Sequence, residues 1–434
     1  MSQKVTVLGA GTMGAGIAQL AAQQGFDVLL YDITDEFVQR GLNNIKAILQ
    51  DRVDRGRLTA DEMQAVLERI TPTTKREDAA HSYIVIEAAP EDLQIKKEIF
   101  AALSDIAPSA ILATNTSSLS ITAIASASRH PERVVGMHFF NPAPVMPLVE
   151  VIAGSRTAPE VVEAVCELAA RLGKTYVQAA DMPGFIVNRV ARPFYGEALK
   201  MVGEGTASIV QVDQAMRAAA FPMGPFELMD LIGIDVNFAV TRSVYEAFFG
   251  EARYRPHPIQ QRMVEAGTLG RKTGRGFYEY PNGQKGNPAW RMAASFGQKR
   301  LSHFVPPELV NRFLSGAAVS LPAESEQSEE QGQIIARILA MIINEAAFAA
   351  GEGVASVRDI DRAMKLGTNY PKGPLRWADE IGLDVVYSVL RALQDSLGED
   401  RYRPAPLLYQ LVRSGLTGDA VGEGFHSPGE KGMV

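Results

Sequence analysis

A glycine-rich loop near the start of the chain constrains the fold more than any other stretch. Residues Lys4 to Leu8 form a short apolar run that predicts a buried strand, and Gly9 to Gly14 follow it with the spacing G-x-G-x-x-G. A helical pattern then runs from Ala15 to Gln24, and a second predicted strand, Asp27 to Tyr31, ends in Asp32. This order is typical of a dinucleotide-binding βαβ unit. We therefore predict an N-terminal doubly wound parallel sheet of the Rossmann type.

The loop has a defined physical role in such units. Its glycines allow a tight turn, a close backbone approach to a pyrophosphate, and close packing of the helix, whose N-terminus offers free N–H groups. The residues expected to contact the cofactor here are Gly9, Gly11, Thr12, Met13 and Gly14. Asp32 would accept hydrogen bonds from the adenine ribose, and the absence of an adjacent Arg for a 2′-phosphate favours NAD over NADP. A glycine-rich turn with a surface Asp is the alternative.

A second stretch carries two ionisable residues among apolar ones. The runs around His138 and Glu150 predict two strands, joined by a connection that contains three prolines. Burying either group would be costly unless the two meet. A carboxylate beside a histidine fixes one imidazole tautomer and stabilises the imidazolium, which leaves the other ring nitrogen for proton transfer. We interpret the residues as a proton-transfer pair, although the pattern alone is also compatible with core or surface residues.

Polar residues follow another predicted strand. The strand Ala110 to Thr114 ends in Asn115, and Ser117 lies two positions later. Because ligands of open parallel sheets lie at the carboxyl ends of the strands, we expect both side chains near the nicotinamide end of a dinucleotide. Ser and Asn are also common turn residues, so this position alone leaves both interpretations open.

Composition limits the class of protein. The chain has 434 residues, of which 46% are hydrophobic and 21% charged, as in soluble globular proteins of two or more domains. A net charge of −7 argues against nucleic acid or an anionic membrane as the main partner. The single cysteine, Cys166, excludes an intramolecular disulfide or a cysteine-based metal cluster, and no metal site is predicted. No uninterrupted apolar run approaches membrane-spanning length, so we expect a cytoplasmic protein.

The second half of the chain contains an internal repeat. Glu204 to Ser208 recurs as Glu352 to Ser356, an offset of 352 − 204 = 148 residues, and Arg253 to Pro256 recurs as Arg401 to Pro404. We therefore divide the chain into a dinucleotide-binding domain (1–184), a first helical domain (185–281), a linker (282–330) and a second helical domain (331–434). Asn188 lies near the start of the first helical domain.

The two copies differ at candidate functional positions. The second copy lacks the Asn-Arg pair of residues 188 and 189, and it has Ala420 where the first copy has Lys272. We infer one working copy and one structural copy. The structural copy is expected to pack on the first in place of a partner subunit, giving a monomer with an internal pseudo-dimer; a homodimer is the alternative.

Taken together, the motifs resemble the 3-hydroxyacyl-CoA dehydrogenase family. The resemblance covers nearly the whole chain in family order and rests on Gly9 to Gly14, Asn115 to Leu119, His138 to Pro142, Leu148 to Val151, Pro183 to Arg189 and Lys272 to Tyr278. The duplicated module is similar to the long bacterial members, including those of phenylacetate breakdown that oxidise 3-hydroxyadipyl-CoA.

The resemblance implies a set of roles. His138 would be the general base and Glu150 its partner, while Ser117 and Asn188 would contact the reacting oxygen and the thioester. Residues that would contact or frame NAD, besides the glycine loop and Asn115, are Asp32, Glu91, Lys96, Asn141 and Lys272. The implied reaction is NAD-dependent oxidation of a (3S)-3-hydroxyacyl-CoA to the 3-oxoacyl-CoA.

Several alternatives stay open at this point. The substrate could be 3-hydroxybutyryl-CoA or a fatty-acid β-oxidation intermediate, or a free hydroxy acid or sugar acid, and the chain could also be a non-catalytic NAD-binding protein. Arg189 and Arg192 are candidates for the acyl end only because they are close to Asn188 in sequence. The basic residues that could hold phosphates of a long anionic substrate, or simply form a solvated helix face, are Lys46, Arg52, Arg55 and Arg57.

Overall fold

The chain folds into two compact units. The structure, a computed structural model, describes residues 4–290, 304–321 and 326–427. One unit comprises Met1–Phe185 and the other Ile186–Val434. The division lies next to Pro183 and Gly184, where the sequence pattern changes from alternating strands and helices to helices alone.

The first unit is built on one eight-stranded sheet. Its strands are β1 (Lys4–Leu8), β2 (Asp27–Tyr31), β3 (Ile70–Thr73), β4 (Ile84–Glu87), β5 (Ile111–Thr114), β6 (Val134–Phe139), β7 (Leu148–Ala153) and β8 (Thr175–Ala180). They are arranged in the order β3-β2-β1-β4-β5-β6-β7-β8. The order reverses between β1 and β4, and in open sheets of this kind the ligand crevice lies at such a reversal, outside the carboxyl ends of the strands.

The predicted Rossmann-type sheet is confirmed, with one difference in strand direction. Strands β1 to β6 are parallel, whereas β7 runs antiparallel to β6 and β8 runs parallel to β7. The predicted parallel sheet is therefore formed by β1 to β6, and β7 and β8 extend it in the opposite direction. The connection 140–147 explains the reversal, because a parallel crossover needs a dozen or more residues and this one is shorter.

Helices pack around this sheet. They are α1 (Thr12–Gln23), α2 (Asp35–Asp54), α3 (Ala60–Glu68), α4 (Leu93–Ile106), α5 (Ile121–Ala125) and α6 (Pro159–Arg171). The Thr59 side chain and Glu62 form a capping box at the start of α3. Strand β3 had no sequence prediction; its four residues include Pro72, which an edge strand tolerates because one side needs no ladder hydrogen bonds.

The second unit is helical. Its helices are α7 (Val187–Val190), α8 (Arg192–Glu204), α9 (Ile209–Ala218), α10 (Pro225–Ile232), α11 (Ile234–Ala247), α12 (Pro258–Glu265), α13 (Pro307–Gly316), α14 (Glu326–Gly351), α15 (Val357–Thr368), α16 (Pro374–Ile381), α17 (Leu383–Leu397) and α18 (Pro406–Arg413). Helices α9 to α12 recur in the same order as α15 to α18, and the counterpart of α8 lies within α14.

The long helix α14 is the centre of this unit. Residues Gln327–Gly351 are apolar and long enough to cross a membrane, a feature that the sequence interpretation did not identify. Of the apolar window, 89% is buried inside the unit, which is the environment of a core helix in a soluble fold. Helices α8, α9, α13 and α16 to α18 all pack against it.

The segment 282–330, interpreted as a linker, is partly ordered into helices. Residues 307–316 form α13, and residues 326–330 belong to the first turns of α14. Helix α13 buries Val310, Phe313 and Leu314, which share one face at helical spacing. Residues 291–303 and 322–325 lie outside the described part of the chain.

Each helical copy contains a buried carboxylate at an equivalent position, Asp213 in the first and Asp361 in the second. The side chain that contacts this carboxylate differs between the copies. In the first copy, Asp213 accepts a 2.7 Å hydrogen bond from the Tyr278 hydroxyl. In the second copy, His426 takes the tyrosine's position, with Nε2 3.2 Å from Asp361 and Nδ1 2.8 Å from Asp379. Burial disfavours the charged imidazole, but both carboxylates outweigh it and raise the pKa of His426 to about 9.

This histidine should make the second copy pH-sensitive. Its folded pKa of about 9 exceeds the ordinary value of 6.5, so its stabilising effect is complete below about pH 6.5 and is lost as the pH rises through 9. In urea unfolding followed by circular dichroism, wild type should lose on the order of 2 kcal/mol more than His426→Tyr between pH 6.5 and 9.5. Equal losses in the two proteins would show that His426 is not charged in the folded state.

Candidate active site

His138 and Glu150 meet through strand pairing. They lie on β6 and β7 at directly opposed positions of the antiparallel ladder, so both side chains point to the same face of the sheet. His138 Nδ1 is 2.7 Å from Glu150 Oε2, and both side chains are buried. The predicted contact is therefore present. Within the described residues no hydrogen-bond partner is found for Nε2, which leaves this nitrogen for a ligand.

Apolar rings surround the imidazole. The Phe140 ring centroid is 4.6 Å from that of His138, and the Phe185 ring centroid is 6.0 Å away. His138 and Glu150 are 6% and 0% exposed, so water has restricted access to the pair. A low local dielectric strengthens the attraction between a protonated imidazole and the Glu150 carboxylate.

The carboxyl end of β5 is tied to the histidine strand. The Asn115 side chain accepts a 2.9 Å hydrogen bond from the backbone N–H of Phe139, the residue after His138. The backbone N–H of Asn115 donates to the Glu87 carbonyl at the end of β4. In the structure Asn115 thus fixes three strand ends relative to each other, in addition to any contact with a cofactor.

Glu91 organises the loop that carries Ser117. Its Oε1 accepts hydrogen bonds from the Thr116 hydroxyl at 2.7 Å, from the Ser117 backbone N–H at 2.8 Å and from the Ser117 hydroxyl at 3.1 Å. Burial opposes its ionisation, yet the Lys96 ammonium and these donors hold the pKa of Glu91 below its usual range. An ionised Glu91 therefore sets the position of the Ser117 side chain.

A buried ion pair underlies this loop. Glu87 and Lys96 are 0% and 1% exposed, and Lys96 Nζ lies 2.6 Å from Glu87 Oε1 and 3.6 Å from Glu91. The other oxygen of Glu87 accepts a 2.6 Å hydrogen bond from Thr114. The sequence interpretation named Lys96 as a cofactor residue but missed Glu87. A carboxylate ending a buried strand, nine residues before a lysine, was the available signal.

The glycine loop has the shape that a dinucleotide needs. Gly9 has φ of +104°, and a Cβ there would lie 2.6 Å from the Ala88 carbonyl oxygen, so the turn requires glycine. A Cβ on Gly11 would meet no atom within 4 Å, which leaves its backbone open to a ligand at the start of α1. Asp32 accepts a 2.7 Å hydrogen bond from Ala10 N–H, so the acid is held beside the loop. Thr12 and Met13 begin α1. These residues fit an NAD molecule.

The other predicted site residues lie on separate elements. Asn141 is exposed, two residues after the end of β6. Asn188 and Lys272 belong to the second unit, where Asn188 is in α7 and Lys272 Nζ lies 2.6 Å from Asp235 Oδ1. The basic residues Lys46, Arg55 and Arg57 are exposed around the end of α2, and Arg55 pairs with Asp51.

Two candidates for the acyl end are contradicted. Arg189 is 0% exposed and its guanidinium contacts Glu345 and Glu352. Arg192 donates from Nε to the Asn188 carbonyl and from Nη1 to the Thr241 hydroxyl. Both guanidinium groups are committed within the helical unit, and closeness in sequence to Asn188 gave no information about their direction.

The second helical copy has replaced the Lys272 contact. Asp384 is the counterpart of Asp235, but Ala420 stands where the lysine would be. Arg312 of α13 supplies the cation instead, with Nη2 3.3 Å from Asp384. This agrees with the inference that only the first copy keeps the groups of a working site.

Comparison with known proteins gives a consistent family. The model for the NAD-binding domain of 3-hydroxyacyl-CoA dehydrogenase matches residues 4–182, and the model for the C-terminal domain matches residues 184–280 and 332–427. A protein named 3-hydroxyadipyl-CoA dehydrogenase from Escherichia coli (strain K12) is 43% identical over 95% of this chain and 98% of its own length.

Shorter relatives and solved structures agree. A probable 3-hydroxybutyryl-CoA dehydrogenase from Deinococcus radiodurans is 46% identical over 64% of this chain and 100% of its own. A crystal structure described as 3-hydroxybutyryl-CoA dehydrogenase from Escherichia coli K12 superimposes with a TM-score of 0.84 at 42% identity, covering 96% of this chain and 99% of that one. Two domain models that match in order, together with similarity over nearly the full length, show that this chain belongs to the 3-hydroxyacyl-CoA dehydrogenase family.

Proposed function

We propose that this enzyme oxidises a (3S)-3-hydroxyacyl-CoA to the 3-oxoacyl-CoA with NAD, and that His138 is its general base. The observation that carries the proposal is the 2.7 Å contact between His138 Nδ1 and the buried Glu150 carboxylate. This contact fixes the tautomer and directs Nε2 to the substrate. A protein that only binds a nucleotide has no use for such a pair.

In the forward direction, Nε2 of His138 removes the proton from the 3-hydroxyl group. Glu150 stabilises the resulting imidazolium, and in the reverse direction that cation returns the proton. NAD, when bound, accepts the hydride that leaves C3 of the substrate. The hydroxyl proton and the hydride both leave the substrate in this oxidation. His138 therefore keeps the proton that it took from the hydroxyl group until the product departs or solvent removes the proton.

Ser117 and Asn188 are proposed as the other substrate contacts. The Ser117 hydroxyl, which donates to Glu91 at 3.1 Å, would turn its single proton to the reacting oxygen as the C–O bond becomes a carbonyl. Asn188 of the helical unit would contact the thioester. The exposed basic side chains around the end of α2 would bind phosphates of the CoA group.

Different residues are proposed to contact different parts of NAD. Gly9, Gly11 and Gly14 would admit the pyrophosphate, with Thr12 and Met13 at the helix start, and Asp32 would bind the adenine ribose. Asn141 and Lys272 are proposed to contact NAD directly. Lys96, whose side chain is buried, would act on the cofactor side through its ion pairs with Glu87 and Glu91.

The proposed setting is a cytoplasmic enzyme of acyl-CoA metabolism that works without nucleic acid or membrane partners. The two helical copies within one unit support a monomer whose second copy replaces a partner subunit, with a homodimer as the alternative.

Replacing the base tests the assignment directly. His138→Gln keeps a polar side chain of similar reach but cannot take a proton, so kcat should fall by about a thousandfold. The dissociation constant of NADH, measured by fluorescence titration, should stay within about twofold because the base does not hold the cofactor. A variant with near-normal kcat would contradict the role of His138, and lost NADH binding would indicate a structural role.

The buried pair below the site should be essential for stability. Glu87→Gln leaves the Lys96 ammonium without its closest counter-charge, so urea unfolding should show a loss of about 3 kcal/mol. Thr114→Val removes only one hydrogen bond to the same carboxylate and should cost about 1 kcal/mol. Equal stability of wild type and Glu87→Gln would mean that Lys96 finds full compensation from Glu91.

The acyl group is the less defined part of the substrate. The E. coli relative named 3-hydroxyadipyl-CoA dehydrogenase matches this chain over both helical copies, so we infer 3-hydroxyadipyl-CoA as the first candidate and a phenylacetate-type pathway as its setting. The solved E. coli structure of the same extent is described as a 3-hydroxybutyryl-CoA dehydrogenase, which makes that substrate the second candidate.

Initial rates of NADH formation should separate the two candidates. We expect kcat/KM for 3-hydroxyadipyl-CoA to exceed that for 3-hydroxybutyryl-CoA by about tenfold. A longer straight-chain 3-hydroxyacyl-CoA serves as the control for chain length without the terminal carboxylate. Higher kcat/KM for either straight-chain substrate would assign the enzyme to butyrate or fatty-acid metabolism instead.

A further inference from the structure

Each helical copy contributes one buried carboxylate that contacts side chains of the other copy. Glu345 of α14 receives three side chains of the first copy: Arg189 with Nε at 2.7 Å, Arg253 with Nη1 at 2.9 Å, and the Tyr254 hydroxyl at 2.5 Å. Glu345 is 2% exposed, so these three donors replace the water that it would otherwise bind.

The mirror cluster surrounds Glu197 of α8, which is 0% exposed. It receives Arg337 with Nε at 3.0 Å, Arg401 with Nη2 at 2.7 Å, and the Tyr402 hydroxyl at 2.9 Å, all from the second copy. Every member lies 345 − 197 = 148 residues from its counterpart in the other cluster. The copies therefore contact each other through equivalent surfaces, as the subunits of a two-fold dimer do.

Each cluster has an outer carboxylate as well. Arg189 Nη1 lies 2.8 Å from Glu352, and Arg337 Nη1 lies 3.0 Å from Glu204. Glu352 is the counterpart of Glu204 in the repeat. The prediction that the second copy lacks the whole Asn-Arg pair is therefore wrong: the arginine is retained as Arg337, and only the asparagine is missing. Ala336 stands in its place.

The two clusters differ in what lies next to the arginine. Arg189 directly follows Asn188 in α7, a helix of only four residues that cannot hold its own position in isolation. Helix α7 packs on α14 and α15 of the second copy. Its arginine is held there by Glu345 and Glu352, so the second copy helps to set where the first turn of the first copy lies, together with the hydrogen bond from Arg192 to the Asn188 carbonyl.

We propose that the second helical copy positions Asn188 for the reaction, through the contacts of Arg189 with Glu345 and Glu352. The proposal rests on the substrate contact assigned to Asn188 above. Glu345, Glu352 and Arg189 are positioning residues and touch neither substrate nor cofactor. The duplicated module is in this view part of the catalytic apparatus, although it lacks reactive groups of its own.

The repeat supplies a matched control for testing this. Glu352→Gln weakens the hold on Arg189, beside Asn188, whereas Glu204→Gln weakens the equivalent hold on Arg337, beside Ala336. Both carboxylates are partly exposed, at 36% and 26%, so neither change should prevent folding. The buried pair Glu345→Gln and Glu197→Gln repeats the comparison with a larger perturbation.

We expect kcat/KM for 3-hydroxybutyryl-CoA to fall about tenfold in Glu352→Gln and to stay within about twofold in Glu204→Gln, since small displacements of a positioning group are costly. The melting temperature should fall at least as much in Glu204→Gln, because Glu204 also lies 3.1 Å from Lys200, and NADH affinity should not change in either variant. Equal losses of kcat/KM in the mirror variants would overturn the proposal.

A double-mutant cycle separates this inference from the proposed function. Asn188→Ala should lower kcat/KM by itself, and adding Glu352→Gln to it should cost little more, because the positioned group is already absent. Full additivity would contradict positioning through Asn188 while leaving the role of Asn188 intact. An Asn188→Ala enzyme with normal kcat/KM would contradict both the assigned contact and the inference. If the buried-pair variants do not fold, the partly exposed pair decides.

Discussion

A carboxylate removed from water must be matched by donors that cannot move away, and this constraint recurs wherever function is proposed in this molecule. The carboxylates Glu87, Glu150, Glu197 and Glu345 are between 0% and 2% exposed. Removing one partner of such a buried pair lowers the stability far more than removing one partner of an exposed ion pair. The groups around each carboxylate therefore hold fixed positions.

In the sheet unit, buried carboxylates fix the side chains near the carboxyl ends of the strands, where the catalytic residues are proposed to lie. Glu150 holds Nδ1 of His138 across one strand pair, and Glu87 holds Lys96 beneath the loop organised by Glu91. His138 lies near the end of β6, where the ligand crevice of an open sheet lies, while its partner Glu150 is fully buried. Rigid support and an accessible reacting atom are therefore supplied by different residues.

The sequence predicted features that depend on local pattern. The first strand, the glycine loop, the helix after it and the strand that ends before Asp32 all agree with the structure, because turn chemistry and hydrophobic periodicity depend on nearby residues. The meeting of His138 and Glu150 was also predictable, since two buried charges among apolar residues need a partner. Features set by distant residues were missed. The direction of β7 depends on the length of its connection, and the edge strand β3 depends on a neighbour far along the chain.

The same limit explains the errors in side-chain roles. Closeness to Asn188 in sequence made Arg189 and Arg192 candidates for binding the acyl end. A short helix directs successive side chains to different sides, however, and Arg189 points to a carboxylate 156 residues away. The polar residues on either side of α13 predict a linker. Only the packing of the helix shows that Phe313 is buried. Glu87 ends a buried strand nine residues before Lys96, but only the folded structure shows that the two side chains meet.

The central claim is that a buried Glu150 makes His138 an effective base. The most direct measurement is the rate of NADH formation in the first turnover, followed by stopped-flow absorbance in wild type and Glu150→Gln. We predict a fall of about a hundredfold, because the amide can still bond Nδ1 but cannot stabilise the imidazolium. A first turnover as fast as that of wild type, with 3-hydroxyacyl-CoA saturating in both, would contradict the account.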